Sequence, residues 1–301
     1  MADQTESAMK PAHILLLVLV AAVWGFNFVV IRLGIDNFPP IFFSALRFLF
    51  AAIPLALILP KPDVPWRIII GIGLVLGVVK FSLLFLGMSL GMPAGLASLV
   101  LQSQAFFTVI LAVLVYRDRP RPTQIAGMVV AFSGVALIAS TVDGDLTMMG
   151  LTLSIGAAFA WACSNLLMKK AGAVDMLRLM VWVSLVAPLP LLAISLAFEG
   201  WERDYQALTH VTWSGAGAVI YIAYLATIFG FAVWGAMIRR YGVSTVAPFS
   251  LLVPVFGMSS AAIVLGEAFG PLRIIAALLI VAGLALNVFN PAWLKPRVAA
   301  A

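Results

Sequence analysis

The sequence predicts an all-α membrane protein, with ten transmembrane helices arranged as two inverted five-helix repeats around a central cavity. Three observations predict it. Hydrophobic residues make up 63% of the 301-residue chain and charged residues 10%, with a mean hydropathy of +1.13. A soluble domain has no use for that much apolar surface, so lipid must cover it. Apolar runs near the ~20 residues needed to cross ~30 Å of hydrocarbon are separated by turn and charge signals ten times. Landmarks of the first half also return in the second half at a constant offset.

Taken in order, the spans are expected over residues 13–32, 40–60, 67–90, 93–116, 123–141, 148–168, 176–198, 213–238, 243–265 and 271–290. The first run is longer than a signal-peptide core and ends in Phe26–Asn27 and Arg32 with no small-residue cleavage pattern, so it reads as a retained helix. Pro39–Pro40, Lys61–Pro62–Asp63, Pro120 and Pro122, Asp143–Gly144–Asp145, Glu202–Arg203–Asp204 and Arg239–Arg240 punctuate the rest. No loop is long enough for a soluble domain. The expected organisation is a tail at 1–12, a first repeat at 13–141, a linker at 142–147, a second repeat at 148–291 and a tail at 292–301.

The net charge of +6 does not form a nucleic-acid patch; the basic residues sit in short loops. With the N-terminus inside, one side carries Lys10, Lys61, Arg67, Arg117, Arg119, Arg121, Lys169, Lys170, Arg178, Arg239, Arg240, Lys295 and Arg297. The other carries only Arg32, Arg203 and Arg273. That bias follows the positive-inside rule, agrees with an even span count and puts both termini in the cytoplasm.

Asp118-x3-Pro122, then Gly134, matches Glu267-x3-Pro271, then Gly283, at an offset of 149. Trp24-x7-Arg32 matches Trp161-x7-Lys169, and Gly91 before the fourth span matches Gly242 before the ninth. Five spans are an odd number, so two such units must cross the bilayer in opposite senses.

Polar side chains at depth are the functional candidates. Arg47 lies about seven residues into its helix, ~10 Å along the axis, and Lys80 lies nearer the middle of its own. No Asp or Glu falls in the middle of any span. Two uncompensated cations call for water or for an anionic ligand group such as a carboxylate. Trp161, Asn165 and Lys169 share one helix face, as do Trp24, Asn27 and Ile31. Gln102 and Gln104 are two residues apart, ~200° around a helix, so one faces the centre and the other bonds a neighbouring helix. Pro248 and Pro254 interrupt the ninth span and suit a hinge. One cysteine and two histidines offer neither a disulfide framework nor a metal site. A Walker sequence is missing, as are a Ser/His pair and an Asp pair at depth, so neither ATP-driven work nor catalysis is expected, and no cofactor.

Trp24–Gly25-x-Asn27 through Arg32, Leu46–Arg47–Phe48, Gly91 to Thr108, Trp161 to Asn165 and Ala247 to Val255 resemble the EamA-type exporters of the drug/metabolite transporter superfamily. The similarity is nearest to members that export small amino acids of the cysteine and O-acetylserine type. It implies a ten-helix inverted-repeat exporter in a bacterial inner membrane, moving small amino acids and related metabolites outward. From the residues at depth, substrate contacts are expected on Trp24, Asn27, Arg47, Lys80, Gln102, Gln104, Trp161 and Asn165, with Pro248 and Pro254 as hinge residues; Lys80 is a charge the resemblance does not assign. Aromatic amino acids or drug-like compounds are the rival cargo, and a membrane-embedded enzyme a remote one. Arg47 and Glu267 stand where the family has its Arg and its Leu-Gly-Glu motif, whereas Tyr116–Arg117–Asp118 departs from that motif in the first half.

Overall fold

The computed structural model describes residues 9–172 and 174–288. The expected tails, including Lys295 and Arg297, and the last two residues of the tenth span fall outside the described residues. Every described element is helical. Proline opens several of them, where its missing N–H costs nothing: α1 Pro11–Ile35, α2 Pro40–Ala56, α5 Pro122–Ala139 and α11 Pro271–Val288. The others are α3 Trp66–Ser89, α4 Ala94–Tyr116, α6 Met148–Ala171, α7 Met176–Phe198, α8 Trp201–Thr209, α9 Trp213–Tyr241 and α10 Val243–Leu265.

Nine of the described helices have 18 or more residues and are apolar enough to cross a membrane, which makes this a multi-pass membrane protein. The helix α2 is apolar but has 17 residues. It ends at Ala56 rather than at residue 60, because Ile58 and Leu59 turn their N–H groups back to the Leu55 carbonyl and Pro60 and Pro62 follow. The short amphipathic helix α8 was not expected. Its first turn holds Glu202 and Asp204, which suit a helix N-terminus.

Irregular turns fall in matching places. The backbone widens to i→i+5 bonding at Gly73–Lys80 in α3 and again at Tyr221–Phe229 in α9. It tightens to i→i+3 bonding at Leu101–Ser103 in α4 and at Ala247–Leu251 in α10. Such turns interrupt the regular ladder and free carbonyls for other partners. The helices α5 and α11 pack closely: a Cβ on Gly283 would sit 2.5 Å from the Gly127 carbonyl oxygen, and one on Gly127 equally close to that of Gly283. Both glycines are therefore required by backbone approach.

The two ends of the bundle differ in charge. One, the basic end, carries Lys10, Lys61, Arg67, Arg117, Arg119, Arg121, Lys169, Lys170, Arg178, Arg239 and Arg240. The other, the acidic end, carries Asp36, Asp143, Asp145, Glu199, Glu202, Asp204 and Glu267. Between them an aromatic seam joins α2 to α3: Phe43 to Phe85 at 5.4 Å and Phe48 to Phe81 at 5.3 Å between ring centroids.

Candidate functional site

Two cations sit inside this seam. Arg47 and Lys80 are each only 4% exposed. Arg47 Nη2 donates to Thr227 Oγ1 at 3.1 Å, and Thr227 Oγ1 donates to the Ile222 carbonyl at 2.7 Å across the widened turn of α9. Arg47 Nε and Nη1 have no partner. The guanidinium carbon lies 4.0 Å from the Phe81 ring centroid. Lys80 Nζ lies 3.3 Å from the same centroid and 4.8 Å from that of Trp161.

The two charges are thus within about 7 Å of one another, and they repel. At an effective dielectric of 20 that repulsion is ~2.4 kcal/mol. Cation–π contacts offset ~1–2 kcal/mol each when desolvated. Two buried guanidinium nitrogens without acceptors cost ~1–3 kcal/mol apiece. With no carboxylate in the surrounding spans, the cluster lacks negative charge and hydrogen-bond acceptors. A carboxylate would supply both, and a guanidinium fork is shaped to take one.

The amides settle on neighbouring helices. Gln102 is 6% exposed, and its Nε2 donates to the Ser250 carbonyl at 3.1 Å, within the tightened turn of α10. Gln104 is half-buried; its Oε1 accepts from Asn165 Nδ2 at 2.7 Å, and Asn165 Nδ2 also reaches Thr108 Oγ1 at 3.0 Å. So both glutamines bridge helices, Gln102 to α10 and Gln104 to α6, where one alone was expected to do so. The tight turn at Leu101–Ser103 between them alters the ~200° separation of a regular helix. Trp24 Nε1 donates to the Ala226 carbonyl at 2.9 Å, and its ring packs on Trp234 at 5.0 Å and Phe231 at 5.5 Å. Asn27 is 8% exposed with Oδ1 unpartnered. Trp161 is half-buried beside Lys80, Pro254 is buried in α10, and Pro248 lies in its tightened turn.

A central cavity reached by Arg47 and by one of Gln102 and Gln104 is the expectation from the sequence. Arg47 and Gln102 are instead covered by neighbouring side chains, because Phe81 and Thr227 close over Arg47 and α10 over Gln102. Two cavities lie toward the ends. One of about 1,110 Å³ at the acidic end is lined by Asn37, Ser82, Phe198, Arg203 and His210 among others. One of about 370 Å³ at the basic end is lined by Val109, Asp118, Arg119 and Gln124 among others.

The ends are held unequally. At the acidic end Glu199 accepts the N–H groups of Ile41 and Phe42 at 2.8 and 2.9 Å, and Glu267 those of Ala94 and Gly95 at 2.6 and 2.9 Å. Each carboxylate thus clamps the otherwise unpaired first turn of a helix, α2 or α4, where the macrodipole favours negative charge. Gly95 is needed for this: a Cβ there would sit 3.0 Å from Glu267 Oε2 and 2.5 Å from the Phe269 ring. Burial pushes the Glu267 carboxyl up, against the pull of these two N–H groups. Arg273 makes a forked pair with Asp145 at 2.9 and 2.7 Å, which holds the Asp145 carboxyl below its ordinary value.

The Glu199 clamp has a second layer. Ser195 Oγ lies 2.6 Å from Glu199 Oε2 and 2.8 and 3.0 Å from the two oxygens of Asp204, which is itself buried. One hydroxyl carries one hydrogen, so both contacts hold only while one of the two carboxyls is protonated. Burial pushes the Asp204 carboxyl up, in agreement.

Among the described residues the ion pairs at the basic end are exposed, Lys169 with Asp118 at 3.5 Å and Arg239 with Asp175 at 3.4 Å, and hydrogen bonds add to them, His13 to Tyr241 at 2.6 Å and Arg121 Nη2 to the Asn287 carbonyl at 3.1 Å. Exposed pairs of this kind contribute ~0–1 kcal/mol. In the sequence Glu199 follows the end of the seventh span, and Glu267 stands in the Leu-Gly-Glu motif after the ninth. Their signal was an acid just past one span opposite a Pro-started helix elsewhere. Phe81, Thr108 and Ser250 gave no signal, being common residues on helix faces.

A multi-pass helical bundle with buried, unneutralised cations at depth and unequal clamps at its ends has the build of a membrane transporter. Comparison with known proteins agrees. The chain belongs to the EamA-like transporter family, whose model matches it twice, over residues 12–140 and 148–289. It is 42% identical to a probable amino-acid metabolite efflux pump of Salmonella typhimurium, over 91% of this chain and 94% of that one. It is 40% identical to the Escherichia coli protein of the same description, over 93% and 96%. At 28% identity it resembles a probable terminal-alkyne amino-acid exporter of Streptantibioticus cattleyicolor, over 90% and 91%. A protein of known crystal structure superposes with a TM-score of 0.56 at 18% identity, covering 96% of this chain and 100% of that one, which speaks for the fold alone.

Proposed function

We propose that the protein is a secondary exporter of small amino acids and related metabolites, of the cysteine and O-acetylserine type, in a bacterial inner membrane. The relatives described as amino-acid metabolite efflux pumps support the cargo class. The single observation that carries the site is Arg47, a covered guanidinium with two unpaired nitrogens and no carboxylate to meet them. It anchors the substrate carboxylate. The unpartnered Asn27 Oδ1 is the acceptor offered to the substrate ammonium.

In this reading α2 is the tenth span, since ~17 residues are the lower limit for crossing. The twofold family match and the recurring irregular turns support two repeats, and the odd number of spans in each makes them inverted. Both termini are cytoplasmic, so the basic end faces inward and the acidic end outward. The clamps of Glu199 and Glu267 then close the outer side while the weaker inner pairs part, and alternating access opens the clamps in turn. The halves rock about α4 and α10 at Pro248 and Pro254.

Counterflow of labelled O-acetylserine or cysteine in proteoliposomes tests this directly. Saturable exchange that Arg47→Gln abolishes is the expected result, and no saturable flux of any amino acid refutes it. Aromatic amino acids as competitors in the same assay test the rival cargo.

A further inference from the structure

The Arg47 site leaves a charge unanswered. An amino-acid zwitterion brings one carboxylate and one ammonium, a net charge of zero. Its carboxylate takes one of the two open nitrogens of Arg47, Nε or Nη1, together with the second N–H of Nη2. Lys80 is as little exposed as Arg47 taken as a whole residue, and among the described residues its ammonium meets no acceptor, only the rings of Phe81 and Trp161, although Nζ is not sealed from solvent as Arg47 Nε and Nη1 are. The substrate ammonium cannot settle there, having the same sign. Nor can it use those rings by cation–π contact, since Phe81 already faces two fixed cations and Trp161 one. The nearest acids, Glu199 and Glu267, are committed to helix N-termini at the acidic end. Loading the zwitterion therefore answers Arg47 but brings a cation of its own, and Lys80 stays without a counter-charge at membrane depth, where a charge is tolerated only if paired.

We propose that Lys80 holds a small inorganic anion of the halide class beside the substrate carboxylate, so that the site loads two anions at once. This rests on the reading of Arg47 as the carboxylate anchor. The chemistry around Lys80 selects the class. A single ammonium is a point charge without the planar fork that matches phosphate or carboxylate oxygens. Its neighbours are the faces of two aromatic rings, and the one further donor they carry is the Trp161 indole N–H, too few for a multi-oxygen anion. A monatomic anion needs no directed hydrogen bonds. Chloride is the probe.

Two measurements on the full-length protein test this. Purified protein in detergent is titrated with ³⁶Cl⁻ by scintillation proximity, with gluconate keeping the ionic strength constant. Saturable binding that Lys80→Met weakens at least about tenfold is expected; no saturable binding, or binding unchanged in Lys80→Met, overturns the proposal. Should Lys80→Met fail to fold, the melting temperature of the unaltered protein decides: a rise with chloride over gluconate supports the site and a flat response overturns it. In proteoliposomes, O-acetylserine counterflow is compared in chloride and in gluconate. A fall of about tenfold in gluconate, restored by bromide, supports the proposal. Counterflow equal in both media overturns it and leaves the exporter reading standing. Counterflow absent from both, with ³⁶Cl⁻ binding intact, overturns the exporter reading and leaves the halide site standing.

Discussion

The Glu199 clamp gives the sharpest test of how the acidic end is closed. In Glu199→Gln one oxygen still accepts an N–H from the first turn of α2, but the amide NH₂ now points at the other. The carboxylate accepts from Ile41, Phe42 and Ser195, so the substitution removes one charge-assisted bond, weakens another and sets donor against donor. A hydrogen bond to a charged group contributes ~1.5–3 kcal/mol, and the charge at a helix N-terminus up to ~1 kcal/mol more. A loss of ~2–3 kcal/mol shifts the balance between clamped and released α2 by about 30- to 150-fold. Ser44 reports on it: it lies on α2 between the clamp and Arg47 and is fully covered. In a Cys163→Ser background, Ser44→Cys should react slowly with an impermeant thiol reagent added to the proposed outer face. Glu199→Gln should raise that rate at least about tenfold, with the helical circular-dichroism signal unchanged. An unchanged rate in a folded protein would show that the clamp does not hold this end, and with it the alternating-access reading of the two ends would fall.

Asp204 makes the same end sensitive to pH. Its carboxyl is pushed up, so its contribution is complete below the ordinary aspartate value and is lost as pH rises through the raised one. The groups facing it are Ser195, Glu199 and Arg203, and its ionisation sets a second negative charge against Glu199. Labelling of Ser44→Cys should therefore speed up with rising pH, and Asp204→Asn, which mimics the protonated form, should flatten that profile. Within the site, Arg47→Lys keeps the charge and loses the fork, so counterflow KM should rise about tenfold or more. Asn165→Leu removes two interhelical hydrogen bonds, to Gln104 and Thr108, and should cost only ~1 kcal/mol by thermal unfolding in detergent. Gly283→Val forces a side chain into the Gly127 carbonyl and should cost ~1–3 kcal/mol or more by the same measurement. Gly217→Ala, where nothing lies within 4 Å, should leave the melting temperature level or slightly higher.

The spans were legible because lipid imposes composition and length on a helix independently of what it packs against. Proline and charge then mark where each helix stops, and the described bounds of α4, α7 and α10 fall within a residue of those expected. The end of α2 was missed because its apolar run, Leu57–Ile58–Leu59, continues past the helix and carries no hydropathy signal of the turn. Arg47 and Lys80 were legible as anomalies, since a cation in hydrocarbon stands out whatever surrounds it. Their environment was not. That Phe81 lies against both cations depends on how α2, α3 and α9 cross, and on a widened turn that no residue type announces.

The amides show where such reading ends. A helix of uniform pitch sends Gln102 and Gln104 to nearly opposite sides, and that geometry assigned one of them to the centre. The tightened turn between Leu101 and Ser103 changes the direction of both. It pairs with a similar turn in α10 at Ser250, the residue whose carbonyl Gln102 takes. Two irregular turns are thus joined by a single amide. The contact lies two residues from Pro248, one of the two prolines expected to act as hinges, and no residue type in either helix announces it.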